Sequence, residues 1–178
     1  MDIEKKLNSL KKFDKNERSS FSYWFWHWYA YNLVALKQHA WKLKYAFHDW
    51  YKPWLRLFLP YEKVQSFHRS HSNHHPEWLE RKLIKAGKKC KKNPMKWVDG
   101  YLDAFHKYDY KGTIIDWECS RYTKNAAKLN AHDEYNKVLN YETFITKYPH
   151  VGEAYNYFSK KLFEAIKELN LENYDRKN

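Results

Sequence analysis

The pair His48-Asp49 is where this chain is best equipped for chemistry. A histidine beside an aspartate offers a metal one neutral ring nitrogen and one hard oxygen from a single short stretch of backbone. That donor pair suits Mn, Fe, Co, Ni or Zn. Five of the ten histidines, His48, His68, His71, His74 and His75, fall within residues 48–75. A chain that needed only to fold would have little reason to gather them there. Asp116 supplies a further carboxylate 116 − 49 = 67 residues beyond Asp49.

Two further histidines lie upstream and could join the pair. His39 is nine residues before His48, which puts the two on opposite faces of a continuous helix at about 100° per residue. His27 is 21 residues before His48, roughly 60° from the same face, but a straight helix would hold the two about 31 Å apart. His27 therefore serves if the chain turns between them, and His39 only if a helix breaks sharply near residue 44. Downstream, His68, His71 and His75 stand at i, i+3 and i+7, one face of a helix. Pro76 disfavours helical backbone at His75. His106, His132 and His150 read as ordinary core or surface residues.

The elements that must position these residues are helical. The chain has 178 residues, the length of one domain and enough to bury a core. It holds only 4 Gly and 5 Pro, and no alternating run reads as a strand, so the expected class is all-α. An amphipathic helix is expected over 2–15. Phe21 to about Tyr51 lacks Gly and Pro and predicts one very long helix or two, with Ser19 or Ser20 as cap. Pro53 and Pro60 close that region. A histidine-rich junction follows. Helices are then predicted over 76–86 (closed by Gly87), 95–108, Thr113 to about Lys124 after a break at Gly112, from Asn130 or Asp133 to Tyr148, and over 152–170.

Charge and composition bound the partners. The formal net charge is +12, a field that favours phosphate-bearing molecules. Eight Lys or Arg and no acid lie between residues 81 and 96. The two cysteines, Cys90 and Cys119, form no CxxC, so a reduced cytoplasm is the simpler setting. The first 18 residues are mostly charged and do not read as a signal peptide. Phe21–Leu36 is too short and too amphipathic for a membrane span, so no membrane is expected.

The order His … His-Asp … Asp resembles the HD superfamily of metal-dependent phosphohydrolases. Residues 41–54 (WKLKYAFHDWYKPW), 68–78 (HRSHSNHHPEW), 114–124 (IIDWECSRYTK) and 128–135 (KLNAHDEY) are similar to a small phage and bacterial branch of HD-like proteins. The resemblance covers about residues 25–140. It implies a single helical domain, with an HD-like core over about 20–148 and a C-terminal helix over about 152–170. It implies that His48 and Asp49 are the central metal pair, Asp116 the final metal aspartate, and His27 or His39 the first histidine. His68, His74 and His75 resemble ligands or phosphate contacts of enzymes that hold a second metal.

The implied reaction is hydrolysis of a nucleotide or other phosphate ester by metal-activated water, with Mn, Fe, Co, Ni, Zn or Mg as the divalent ion. Asp49 would orient or deprotonate the water. His71 or His75 would steady the phosphate or protonate the leaving group, and Lys52 and Arg121 would contact the phosphate. Two other readings compete with the enzyme. One is a basic protein that binds nucleic acid without catalysis. The other is a phage-type protein, placed in a host cytoplasm, that docks on a host protein through an HD-like scaffold.

Overall fold

The computed structural model describes residues 2–90, 94–125 and 130–171, and side chains outside 89–97 within them. The described chain is all-α. Eleven α-helices occur among the described residues, with two short 3₁₀ segments and no sheet. They are α1 (Ile3–Asn8), α2 (Phe21–Lys37), α3 (Lys52–Arg56), α4 (Tyr61–His71), α5 (Pro76–Cys90) and α6 (Pro94–Lys107). The rest are α7 (Tyr110–Thr123), α8 (Ala131–Val138), α9 (Tyr141–Lys147), α10 (Pro149–Gly152) and α11 (Tyr155–Glu168). No described helix is long and apolar enough to cross a membrane.

The core lies where α7 is gripped between α2 and α11, with α5 paired to α6 alongside. Tyr31 on α2, Leu79 and Leu83 on α5, Ile114 and Ile115 on α7, and Phe158, Leu162 and Ile166 on α11 are almost completely buried. The α11 residues among them form the apolar stripe that sequence periodicity picks out on the last helix. Their burial, more than intrinsic propensity, holds such short helices together.

Several expected boundaries move. The Phe21–Tyr51 region is not one helix. It ends at Lys37, where Ala40 N donates to Ala35 O and His39 N to Leu36 O, with His39 in the left-handed region at φ 51°. This is the Schellman arrangement, which reverses the chain and satisfies carbonyls at the helix end. A 3₁₀ segment, Leu43–Phe47, then carries the chain back along α2. Trp28 Nε1 donates to Ala46 O at 2.8 Å and Asn32 Nδ2 to Tyr45 O at 3.1 Å, pinning that return.

Gly112 does not break a helix. It sits in the first turn of α7, where its N–H donates to the Asp109 side chain at 3.2 Å. A Cβ there would meet Asp109 Oδ2 at 2.5 Å, so glycine makes room for the cap. Gly87 does not end α5, which runs to Cys90 because its other face packs on α6. The expected helix from Asn130 to Tyr148 is two helices, since the Asn140 side chain accepts from Thr143 N and caps α9. The N-terminal helix stops at Asn8 rather than running to residue 15. Outside the described residues lie the Asn93 half of the expected Asn93-Pro94 turn, Lys128 and Leu129 of the 128–135 motif, and the side chains of Lys89 to Lys96 in the basic run.

Candidate metal centre

Three segments bring His27, His48, Asp49 and Asp116 together. His27 comes from the middle of α2, and Asp116 from α7, the helix α2 packs against. His48 and Asp49 follow the 3₁₀ return. Asp49 adopts φ 60°, a left-handed conformation that costs free energy for a side chain with a Cβ. The turn is braced by Lys52 N donating to Asp49 O at 3.0 Å as α3 begins. The distortion turns both side chains of an adjacent pair inward, and His48 and Asp49 are both buried.

The distances describe two overlapping donor groups that share His27. His27 Nε2 lies 3.0 Å from Asp116 Oδ1 and 4.0 Å from Asp49 Oδ2. His48 Nε2 lies 3.5 Å from Asp49 Oδ2 and 3.8 Å from Asp116 Oδ1. Ligands bonded to a single ion at about 2.1 Å stand roughly 3.0–3.4 Å apart in octahedral or tetrahedral geometry. The observed spacings are close to that and need only small side-chain adjustments. His27, His48 and Asp49 offer ligand atoms all within 4.8 Å of one another, as do His27, Asp116 and Cys119. His39, by contrast, is exposed and committed to ending α2. Of the two candidate first histidines, the fold brings in His27.

A second donor group adjoins the first. His68, at the end of α4, and His74 and His75, in the turn before α5, place three ring nitrogens within 4.8 Å of one another. His68 Nε2 and His75 Nε2 are 2.7 Å apart. The groups touch through His68 Nδ1, 3.2 Å from Asp49 Oδ1, and through the His48 and His74 rings, whose centroids are 4.9 Å apart. Tyr51 Oη and Ser72 Oγ each contact His68 Nδ1, at 2.6 and 2.9 Å, and orient that ring. Tyr31 stacks on the His48 ring at 3.7 Å and fixes its plane.

The polar atoms at the centre are not satisfied by the protein. His48 Nε2, Asp49 Oδ1 and His74 Nε2 are buried and make no hydrogen bond. An unmet buried polar atom costs about 1–3 kcal/mol, so three together call for a partner. Nitrogen and carboxylate donors at these spacings fit a divalent transition metal.

The electrostatics agree with that fit. Burial drives the His48 pKa down to about 3, against the opposing pull of Asp49. Burial likewise lowers His68, His74 and His75, leaving neutral rings with free lone pairs. Burial pushes the Asp49 carboxyl up, but His48, His68 and Lys52 outweigh it and hold Asp49 well below the usual carboxylate range. In Asp116 the same opposing pull is overcome first by the hydrogen bond from His27. Both carboxylates are thus ionised and the His48, His68, His74 and His75 rings neutral, the protonation states a metal requires.

The remaining expected residues divide. Lys52 is buried, with Nζ 2.5 Å from Asp49 Oδ2, and lines the cleft beside His27 and His68. His71 does not continue a ligand face with His68 and His75. It is exposed, stacks on Phe67 at 4.0 Å, and its Nδ1 lies 2.8 Å from Phe67 O. It borders a smaller cavity of about 230 Å³ that also reaches His48 and His74. Arg121 is five residues from Asp116 on α7, about 140° around the helix. Its Nε pairs with Glu118 at 2.8 Å, and Glu118 in turn accepts from Ala131 N at the start of α8. That guanidinium neutralises a buried structural carboxylate.

Sequence reasoning missed Cys119, Arg18 and Lys124. Cys119 is buried one turn beyond Asp116, with Sγ 3.7 Å from His27 Nδ1. Its i+3 spacing from Asp116 was the available signal. Arg18 and Lys124 line the cleft of about 770 Å³ that opens onto His27, His68, His75 and Asp116. Only tertiary pairing brings them there. Comparison of the chain with models of protein families, with curated proteins and with solved structures finds no match.

Proposed function

We propose that this protein is a metal-dependent phosphohydrolase of the HD type, acting on a nucleotide or another phosphate ester. The observation that carries the reading is the convergence of His27, His48, Asp49 and Asp116 in the motif's order, with donor spacings of 3.0–4.0 Å. The ions implied are Mn, Fe, Co, Ni, Zn or Mg. His27, His48, Asp49 and Asp116 would hold one of them, and His68, His74 and His75 a second. A bound divalent ion supplies Lewis acidity: it lowers the pKa of water and polarises phosphoryl oxygens.

The chain's own groups do the rest. Asp49, kept ionised, is the base that orients the attacking water through whichever oxygen is not ligating. Lys52 holds that carboxylate in place and carries positive charge into the cleft. Tyr51 and Ser72 fix the His68 ring so that Nε2 faces His75. The cleft, of a size that holds a nucleotide, admits substrate on the side of His75 and Asp116.

The test is direct. Protein reconstituted with each candidate ion is assayed for bound metal and for phosphate release from a panel of nucleotides and simple esters. The wild type should bind metal and turn over at least one ester, and chelation should abolish turnover. The His48→Ala, Asp49→Ala double variant should do neither while keeping its helical spectrum. A wild type that takes up no metal would sink the proposal.

One surface favours a second reading, docking without catalysis. Between residues 36 and 58, Trp41, Leu43, Phe47, Trp50, Trp54, Leu57 and Phe58 are all exposed, Phe58 by 83%. Lys42, Lys44 and Arg56 lie among them, and the sole acid of the stretch, Asp49, is buried. Basic charge mixed with exposed rings suits a nucleic-acid strand or a protein partner. Binding of that kind is indifferent to chelators, and to a strand it falls steeply with salt.

A further inference from the structure

The cleft beside the metal centre holds cations that no carboxylate of the described residues neutralises. Five basic side chains line it: the exposed Lys15, and Arg18, Lys52, Arg69 and Lys124. Lys52 pairs with Asp49 and Arg69 with Glu77. Arg18 and Lys124 have no such partner among the described residues. Arg18 Nε is buried and makes no hydrogen bond. Lys124 Nζ donates to the neutral Ser120 Oγ at 2.7 Å. The two cations border both this cleft and the adjoining one of about 420 Å³.

The fold builds this arrangement deliberately. Phe13 N donates to Thr123 O at 2.9 Å and Asn125 N to Phe13 O at 3.2 Å, an isolated parallel bridge. The bridge lays the N-terminal segment against the end of α7. Asn125 Nδ2 reaches Asp14 Oδ1 at 2.7 Å and locks the register. Two like charges from distant parts of the chain are therefore held in one cleft, with Asp116 as the near anion. Burial lowers the Lys124 pKa and Arg18 adds to that, while Asp116 opposes both. Such a pair is unfavourable without an anion and is stabilised when one arrives.

We infer that Arg18 and Lys124 form a subsite for a second phosphoryl group of the substrate, so that the enzyme acts on a polyphosphate ester such as a nucleoside di- or triphosphate. The inference rests on the phosphohydrolase reading for the reaction, and names its substrate class. The Lys124 side chain leans back along α7 to Ser120, whose Oγ donates to Asp116 O at 3.0 Å. The ammonium is thus held beside the turn that carries Asp116, in the same cleft, where it meets the phosphoryl group next to the one being cut. Arg18 supplies a planar donor array suited to phosphate oxygens.

The test is calorimetric titration of the purified protein with pyrophosphate and with inorganic phosphate, with metal content measured on every sample, before and after chelation. Pyrophosphate should bind more tightly than phosphate. The Arg18→Gln, Lys124→Gln double variant should lose at least tenfold in pyrophosphate affinity, keep its metal content and melt no lower than wild type. A Lys88→Gln, Lys160→Gln variant removes the same charge from exposed positions and should change affinity by less than twofold. The inference is overturned if the cleft variant binds pyrophosphate like wild type, if the surface variant loses as much, or if the wild type does not prefer pyrophosphate. Failure of the metal reading shows separately, as absent metal in the wild type whatever the anion does.

Discussion

The two donor groups at the centre are built in opposite ways. His68, His74 and His75 come from eight consecutive residues where α4 ends and α5 begins, and all three donors are nitrogens. His27, His48, Asp49 and Asp116 come from parts of the chain up to 89 residues apart and mix nitrogen with ionised oxygen. The local group persists as long as one turn persists. The dispersed group exists only while α2, the 3₁₀ return and α7 stay packed. The carboxylates also give it a charge that an all-imidazole set lacks, and among the lysines and arginines of the described residues only Lys52 offsets that charge within hydrogen-bond reach. The dispersed group should therefore dominate both stability and hard-metal affinity.

Asp49 offers the largest way to break that contrast. Asp49→Ala leaves the buried Lys52 ammonium without its partner, which should destabilise the metal-free protein by about 3–5 kcal/mol. Denaturant unfolding measures this. Adding Lys52→Met should recover most of the loss, whereas metal binding should stay abolished. If the single variant unfolds like wild type, the Asp49–Lys52 pair does not hold the turn.

Acid should break the centre next. In the metal-free protein four histidines are held neutral below their ordinary pKa, while the unfolded chain protonates them near about 6.5. The unfolded state therefore takes up protons first, and the stability present above pH 6.5 is lost as pH falls. Asp49 and Asp116, also held low, act in the same direction once pH drops toward about 4. The melting temperature of chelated protein should decline from pH 6.5 downward and be level just above it. A maximum near pH 5 would contradict the burial of these rings.

Removing one member of the local group sharpens the comparison with a smaller effect. His75→Ala should lower bound metal from two equivalents to one, with the fold and the first equivalent intact. Equal loss of both would mean that the groups form a single cooperative site. The smallest effect is expected at His39, which makes the left-handed turn after α2. His39→Gly should leave metal content unchanged and raise stability by up to about 1 kcal/mol.

Much of the fold was legible along the chain. The apolar periodicity of α6 and α11 and the cap candidates Ser19 or Ser20 and Asn130 or Asp133 are visible to inspection, and helices form there, capped by Ser20 and Asn130. The glycines misled. Gly87 and Gly112 read as breakers, yet one lies inside α5 and the other makes room for a cap. Helix α4 was invisible as a helix because its last turn is written in histidines and serines, whose place is decided by what they contact. At the centre, the residue types and their order were readable, and His48, Asp49, His68, His74, His75 and Asp116 do come together. Arg121 is instead paired with Glu118, and His71 lies exposed beside the smaller cavity.

By itself the sequence determined the helical class, the positive charge and the set of candidate ligands, because composition and period are properties of the chain alone. Only the tertiary structure decided between His27 and His39, since that depends on a chain reversal after Lys37 made by hydrogen bonds no periodicity encodes. Only it could set Arg18 beside Lys124, because the bridge between Phe13 and the end of α7 joins residues over a hundred positions apart. Local propensities act within a few residues, whereas a buried His/Asp donor cluster and a cation-lined cleft are closed by contacts between distant ones.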